Sequence, residues 1–179
     1  MTMTFKVISI VVLVLKKINA VIDKILLSLG VVGFLGIIIS ISAGIIARTP
    51  LTPFTPLAWP EELSTFLFIC VAFFGASCCA YRRREIVVDF LLSKFPENSL
   101  IPLNIVIRIM VMIFMVLIII GGIALYPRIR GVSIALGIPR NLYYVPIVIA
   151  AVAILLINFA DLLESIQSLR KKNNEEGED

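Results

Sequence analysis

Histidine is absent from this chain of 179 residues. That excludes bis-histidine haem ligation, histidine-bound zinc or copper, and imidazole acid–base catalysis. Cysteine is scarce, with only Cys70, Cys78 and Cys79. On a helix Cys70 and Cys78 stand about 12 Å apart along the axis, whereas a disulfide needs Cα atoms within about 7 Å. There is no CxxC pair, so thiol–disulfide chemistry is not expected and the cysteines read as small packing residues. No catalytic residue, metal site or cofactor is expected, and the chain does not read as an enzyme. Charge is also sparse, at 16% of residues against about a quarter in soluble domains. The net charge of +4 comes from clusters at helix ends. It speaks to membrane orientation and anionic lipid, not to nucleic acid.

Apolar side chains are abundant: 60% of the residues are hydrophobic and the mean hydropathy is +1.06. The expected fold is an all-α integral membrane protein forming one bundle, with no second domain. A spanning helix needs about 20 mostly apolar residues. Four segments reach that length, at 25–47, 61–81, 102–126 and 142–164. A further apolar run, Val7–Leu15, lies between Lys6 and the Lys16–Lys17 pair. As a helix it reaches only about 14 Å. A signal peptide is disfavoured, because lysines stand where small residues should precede a cleavage site. Residues 1–17 are therefore expected as an uncleaved interfacial segment.

The basic residues give the orientation. With the N-terminus inside, the cytoplasmic side carries Lys6, Lys16, Lys17, Lys24, Arg82, Arg83, Arg84, Lys94, Arg108, Arg170, Lys171 and Lys172. The outer side carries only Arg48, Arg128, Arg130 and Arg140. This asymmetry predicts both termini inside. Trp59, Tyr126, Tyr143 and Tyr144 then fall at the outer interface. In "REIVVDFLLSKFPE", Glu85, Asp89 and Ser93 form a polar stripe opposite Ile86, Val87, Phe90 and Leu91. This predicts a short amphipathic interfacial helix over 84–96, ended by Pro96, with Arg82, Arg83 and Arg84 facing phospholipid headgroups. The polar, acidic tail at 170–179 is expected to be disordered.

"TPLTPFTPLAWP" is rich in proline and lacks a helical period, so it reads as an outer loop. Pro60 suits the first turn of the following helix. Glu61 and Glu62 share that turn, where the helix dipole favours negative charge by about 0.3–1 kcal/mol. With Trp59 they read as interface anchors, too shallow to act as an ion relay. No Asp, Glu, Lys or Arg lies in the central part of any span. A charge there costs about 2.5–3.5 kcal/mol on insertion scales and is kept only for function. Arg108, near the cytoplasmic start of the third span, can snorkel to that surface, Asp161 and Glu164 follow the apolar run Leu142–Ala160 at the inner end of the fourth, and Asn158 is expected to make a helix–helix hydrogen bond. Gly36, Ser40 and Gly44 form a ridge of small residues on the first span. Ala72, Ala76 and Ala80, with Gly75, form another on the second. Such ridges permit close backbone approach in lipid; they serve either internal packing or a partner subunit.

Trp59 with Glu61 and Glu62, "FFGASCCAYRRREIVVDFLL" and "SIALGIPRNLYYVPIVI" resemble the small membrane subunit of tripartite ATP-independent periplasmic (TRAP) transporters, the DctQ type. The matching positions are Gly75, Ala76, Arg82, Ile86, Val88, Asp89, Ala135, Leu136, Gly137, Ile138, Pro139 and Pro146. Glu85 stands where many relatives carry histidine, and residues 1–16 have no counterpart. The resemblance implies an accessory subunit of a sodium-coupled transporter in the bacterial inner membrane. It would form a heterodimer with a large membrane subunit that carries the sodium and substrate sites and moves by an elevator motion. It would support that subunit's scaffold and help dock a periplasmic substrate-binding protein. Family cargoes are organic acids such as C4-dicarboxylates and sialic acids, with sialic acid the first expectation. On this reading the ridge residues pack helices or meet the large subunit. Arg82, Arg83, Arg84 and Asp89 meet that subunit or lipid, and Arg48, Arg128, Arg130 and Arg140 are docking candidates. The alternative is a small four-helix exporter acting as a homodimer, which would need a membrane-embedded glutamate. A quinone or haem redox protein lacks the ligands it would require.

Overall fold

The computed structural model describes the backbone of residues 2–48, 59–82 and 97–175, and the side chains of 11–47, 59–82 and 103–166. The expected interfacial helix 84–96 lies outside the described residues. Four long helices account for most of what is described: α1 (Thr2–Arg48), α2 (Trp59–Tyr81), α3 (Glu97–Leu125) and α4 (Val145–Glu175). A 3-10 turn, Arg140–Tyr144, leads into α4. Each helix contains a stretch long and apolar enough to cross a membrane: Val11–Ala47, Trp59–Tyr81, Leu103–Leu125 and, including the 3-10 turn, Arg140–Ile166.

Three boundaries differ from the sequence expectation. The N-terminal segment and the first span form one uninterrupted helix, α1. No glycine or proline occurs before Gly30, so nothing breaks the helical hydrogen bonding. Polar residues between the two apolar runs find partners on other helices. Lys16 donates to Glu164 at 2.8 Å, Asn19 Nδ2 to the Leu156 carbonyl at 3.4 Å, and Asp23 lies 3.6 Å from Arg82. Similarly, α4 stays helical to Glu175, into the tail expected to be disordered. No residue from Ile147 to Glu175 is a glycine or proline. Finally, α3 begins at Glu97, ahead of the expected start at Pro102.

Helix α4 is the centre of the bundle. It packs on α1, α2 and α3, while α1 also packs along α2. Small residues make this possible: Ala150, Ala151, Ala153 and Ala160 are all buried. Leu26 of α1, Phe74 and Cys78 of α2, and Ala150 and Ala153 of α4 form one cluster, with Ile22, Cys70 and Phe73 against it. Helix α3 is a flank packed chiefly on α4. Its Ile109, Met110, Ile113, Phe114, Leu117, Ile120 and Ile123 remain exposed. A Cβ on its Gly122 would collide with the Val148 side chain, so glycine allows α3 to close on α4 there.

Lys16 near the start of α1 meets Glu164 toward the end of α4, so the start of α1 and the end of α4 lie at the same end of the bundle. That end is called the Lys16 end below, and the opposite one the Trp59 end.

Candidate functional site at the Trp59 end of the bundle

The connection between α3 and α4 folds into a small hairpin over the start of α2. Ser133 N–H donates to Ile138 O at 2.8 Å, Gly137 N–H to Ser133 O at 3.0 Å, and Arg140 N–H to Gly131 O at 2.9 Å. Val132 and Pro139 form an isolated antiparallel bridge. The hairpin needs glycine at two corners, Gly131 with φ 140° and Gly137 with φ 67°, values that a Cβ disfavours.

Glu62 ties this hairpin to α2. Its Oε2 accepts a hydrogen bond from Ser133 Oγ, and others from the N–H groups of Ala135 at 3.1 Å and Leu136 at 3.3 Å. Tyr143 Oη donates to the Glu62 carbonyl at 3.4 Å, and its ring meets Phe66 edge-on at 5.3 Å. A single carboxylate thus satisfies a hydroxyl and two backbone donors that would otherwise need water. Beside this latch lies an open groove of about 500 Å³, lined by Glu62, Thr65, Ile69, Ile129, Ser133, Arg140, Tyr143, Tyr144 and Ile147. The sequence identified Glu62 as a surface anchor next to Trp59 and Glu61. It did not identify Ser133 or the two backbone donors that Glu62 holds. The signal was the pair Gly131 and Gly137 flanking a serine, a turn signature.

At the Lys16 end the charged groups pair with one another. Arg108 Nη1 donates to Asp161 Oδ2 at 2.8 Å and to Asn158 Oδ1 at 3.4 Å. The side chains of Arg108 and Asp161 are only 15% and 11% exposed. Arg108 therefore does not snorkel away from the bundle, and Asp161 does not trail behind it; they clamp α3 to α4. Equal depth could have revealed the pair. Arg108 lies 17 residues before the end of α3 and Asp161 lies 16 residues after the start of α4. Both lie about 25 Å from the Trp59-end boundary of these helices. That is about 10 Å beyond the midpoint of a hydrocarbon layer about 30 Å thick.

The two small-residue ridges have different roles. On α1, Cβ atoms at Gly36 and Gly44 would lie 2.9 Å from Leu67 Cδ1 and 3.3 Å from Pro60 Cβ. Ser40, 2% exposed, donates through Oγ to Pro60 O at 3.0 Å. This ridge is the α1–α2 seam. On α2, Ala80 is buried, but Ala72, Gly75 and Ala76 are exposed. A Cβ on Gly75 would meet no atom within 4 Å.

Arg82 is half-exposed and approaches the buried Asp23. Arg128, Arg130 and Arg140 are exposed around the hairpin. Arg83, Arg84 and Asp89, and the side chain of Arg48, lie outside the described residues. Among the described residues, no group of three or more Cys, Asp and Glu side chains could hold a metal ion.

Four long apolar helices with paired charges and small-residue seams define a multi-pass α-helical membrane protein. Residues 37–168 match the family model of the tripartite ATP-independent periplasmic transporters, DctQ component. The chain belongs to this family, a transporter component and not an enzyme family, and is the small membrane subunit of a TRAP system. No curated protein matches it at a significant level.

Proposed function

We propose that this chain is the accessory small permease subunit of a sodium-coupled TRAP transporter for organic acids, C4-dicarboxylates or sialic acid. It supports the scaffold of the large elevator subunit and helps dock the periplasmic binding protein. One observation carries the reading: no Asp, Glu, Lys or Arg side chain stands at mid-depth of the bundle in α1 to α4. Near the ends, Asp23 pairs with Arg82 across α1–α2, Lys16 with Glu164 across α1–α4 and Arg108 with Asp161 across α3–α4, and Glu62 holds the hairpin. An ion-coupled carrier needs a polar site near the midplane, so cargo and sodium belong to another chain.

In this arrangement both termini and the interfacial segment 84–96 face the cytoplasm of a bacterial inner membrane, and the Trp59 end faces outward. The α1 ridge is already occupied by α2. The exposed Ala72, Gly75 and Ala76 are therefore the small residues available to a helix of the large subunit. Arg82, Arg83, Arg84 and Asp89 meet that subunit or phospholipid. Arg48, Arg128, Arg130 and Arg140 face the binding protein.

The test is co-expression followed by reconstitution in proteoliposomes. The chain is expected to co-purify with a large multi-spanning subunit. Sodium-driven uptake of an organic acid should require that subunit and the soluble binding protein. Uptake by this chain alone would overturn the reading.

A further inference from the structure

We propose that the hairpin 131–140 is a preformed docking element in which Val132 and Ile134 are the apolar anchor and Glu62 is the residue that positions it. Its partner is a soluble protein face with an apolar cleft rimmed by carboxylates. Identifying that partner as the substrate-binding component rests on the function proposed above.

Ile134 is 92% exposed, while the adjacent Ser133 is 5% exposed. The difference follows from the latch: Ser133 and Ala135, on either side, are bonded to Glu62, so Ile134 is directed away from α2. Val132, two positions earlier and just before the turn at 134–136, is also exposed, at 58%. The exposed apolar residues of α1 and α3 lie on helices whose backbone is self-satisfied, as lipid requires. The hairpin is irregular backbone, and irregular backbone exposed to lipid does not occur in the hydrocarbon region. Its apolar face is therefore turned toward water, where a protein partner can cover it.

Charge and order define that partner further. From Tyr126 to Tyr144 the connection contains Arg128, Arg130 and Arg140 and no acidic residue. All three arginines are exposed, and none makes a salt bridge among the described residues, although Arg140 lines the groove together with Glu62. An acidic rim would be steered toward them. The hairpin is held by its own backbone bonds, by Glu62 and by two positive-φ glycines. The ordering cost of binding is thus largely met before contact.

The test uses the small subunit with its large subunit in nanodiscs, and the soluble binding component in solution. Ile134→Asp is expected to weaken docking by about tenfold or more, as loss of a central apolar anchor does, while Ile134→Val stays close to wild type. Glu62→Ala, with Ile134 intact, should also weaken docking and should make the hairpin more sensitive to protease. An Ile134→Cys variant should react with a membrane-impermeant maleimide and lose that reactivity when the binding component is added. Docking by Ile134→Asp within twofold of wild type overturns the proposal. So does an Ile134→Cys thiol that the reagent cannot reach without the partner. Co-purification of the large subunit reads the proposed function separately. If it is lost while Ile134-dependent docking persists, the function falls and the docking element stands; retained co-purification with docking indifferent to Ile134 gives the reverse.

Discussion

At the Trp59 end a carboxylate, Glu62, is held by a hydroxyl and two backbone N–H groups. At the Lys16 end another carboxylate, Asp161, is held by a guanidinium, Arg108. The partners differ because the depths differ. Glu62 stands in the first turn of α2, at the very end of its span, and its hydrogen bonds shape a loop. Asp161 lies deeper between α3 and α4, where an unneutralised charge would be costly, so its partner must also be charged. One end organises a surface and the other fastens two helices.

Removing one member of the deep pair should have the largest effect. Asp161→Ala leaves Arg108 buried and uncompensated and should cost about 3–5 kcal/mol, read as a fall in the thermal unfolding midpoint in detergent. Replacing both, as Arg108→Met with Asp161→Leu, should recover most of it. If the single variant melts like wild type, the pair does not fasten α3 to α4 and the contrast between the ends fails.

The seam between the ends gives the next effect. Gly36→Val places side-chain atoms against Leu67 and should cost about 1–3 kcal/mol through overpacking. Gly75→Ala, into open space, should be neutral or slightly stabilising because alanine favours helix by up to about 1 kcal/mol. A reversed order would mean that the α2 ridge, not the α1 ridge, forms the seam. Glu62→Ala should leave the unfolding midpoint nearly unchanged while limited proteolysis cuts within 131–140 faster. Unchanged cleavage would show that the hairpin orders itself without the latch. The smallest effect is expected for Lys16→Ala. Its bond to Glu164 joins two half-exposed side chains, and such pairs contribute about 0.2–1 kcal/mol. A loss as large as that of Asp161→Ala would remove the distinction between buried and surface pairs.

Much of this architecture is legible in the sequence because lipid imposes simple rules. Apolar runs of sufficient length marked all four spans, and Pro60 with Glu61 and Glu62 marked where α2 starts. The unread parts depend on how elements meet. Lys16, Asn19 and Asp23 resemble a break between two segments until partners on α4 and α2 are known. Arg108 and Asp161 are 53 residues apart, so their pairing depends on the antiparallel register of α3 and α4. The Gly36, Ser40, Gly44 ridge and the Ala72, Ala76, Ala80 ridge follow the same four-residue spacing, and only the packing of the helices separates the covered one from the one whose Ala72 and Ala76 stay open. The hairpin's contacts to Glu62 run 71 to 74 residues along the chain, beyond any local pattern.

The uninterrupted first helix has a consequence for the surrounding lipid. At about 1.5 Å per residue, the 47 residues of α1 reach about 70 Å, and the 23 of α2 only about 35 Å. Leu13 and Val14, 68% and 53% exposed, lie about 15 Å beyond the level of Asp23 and its Arg82 partner. A flat bilayer cannot match both lengths. Thick membranes cover this apolar sleeve and thin ones strand it, so the tilt of α1 and the local thickness of the leaflet around it are coupled.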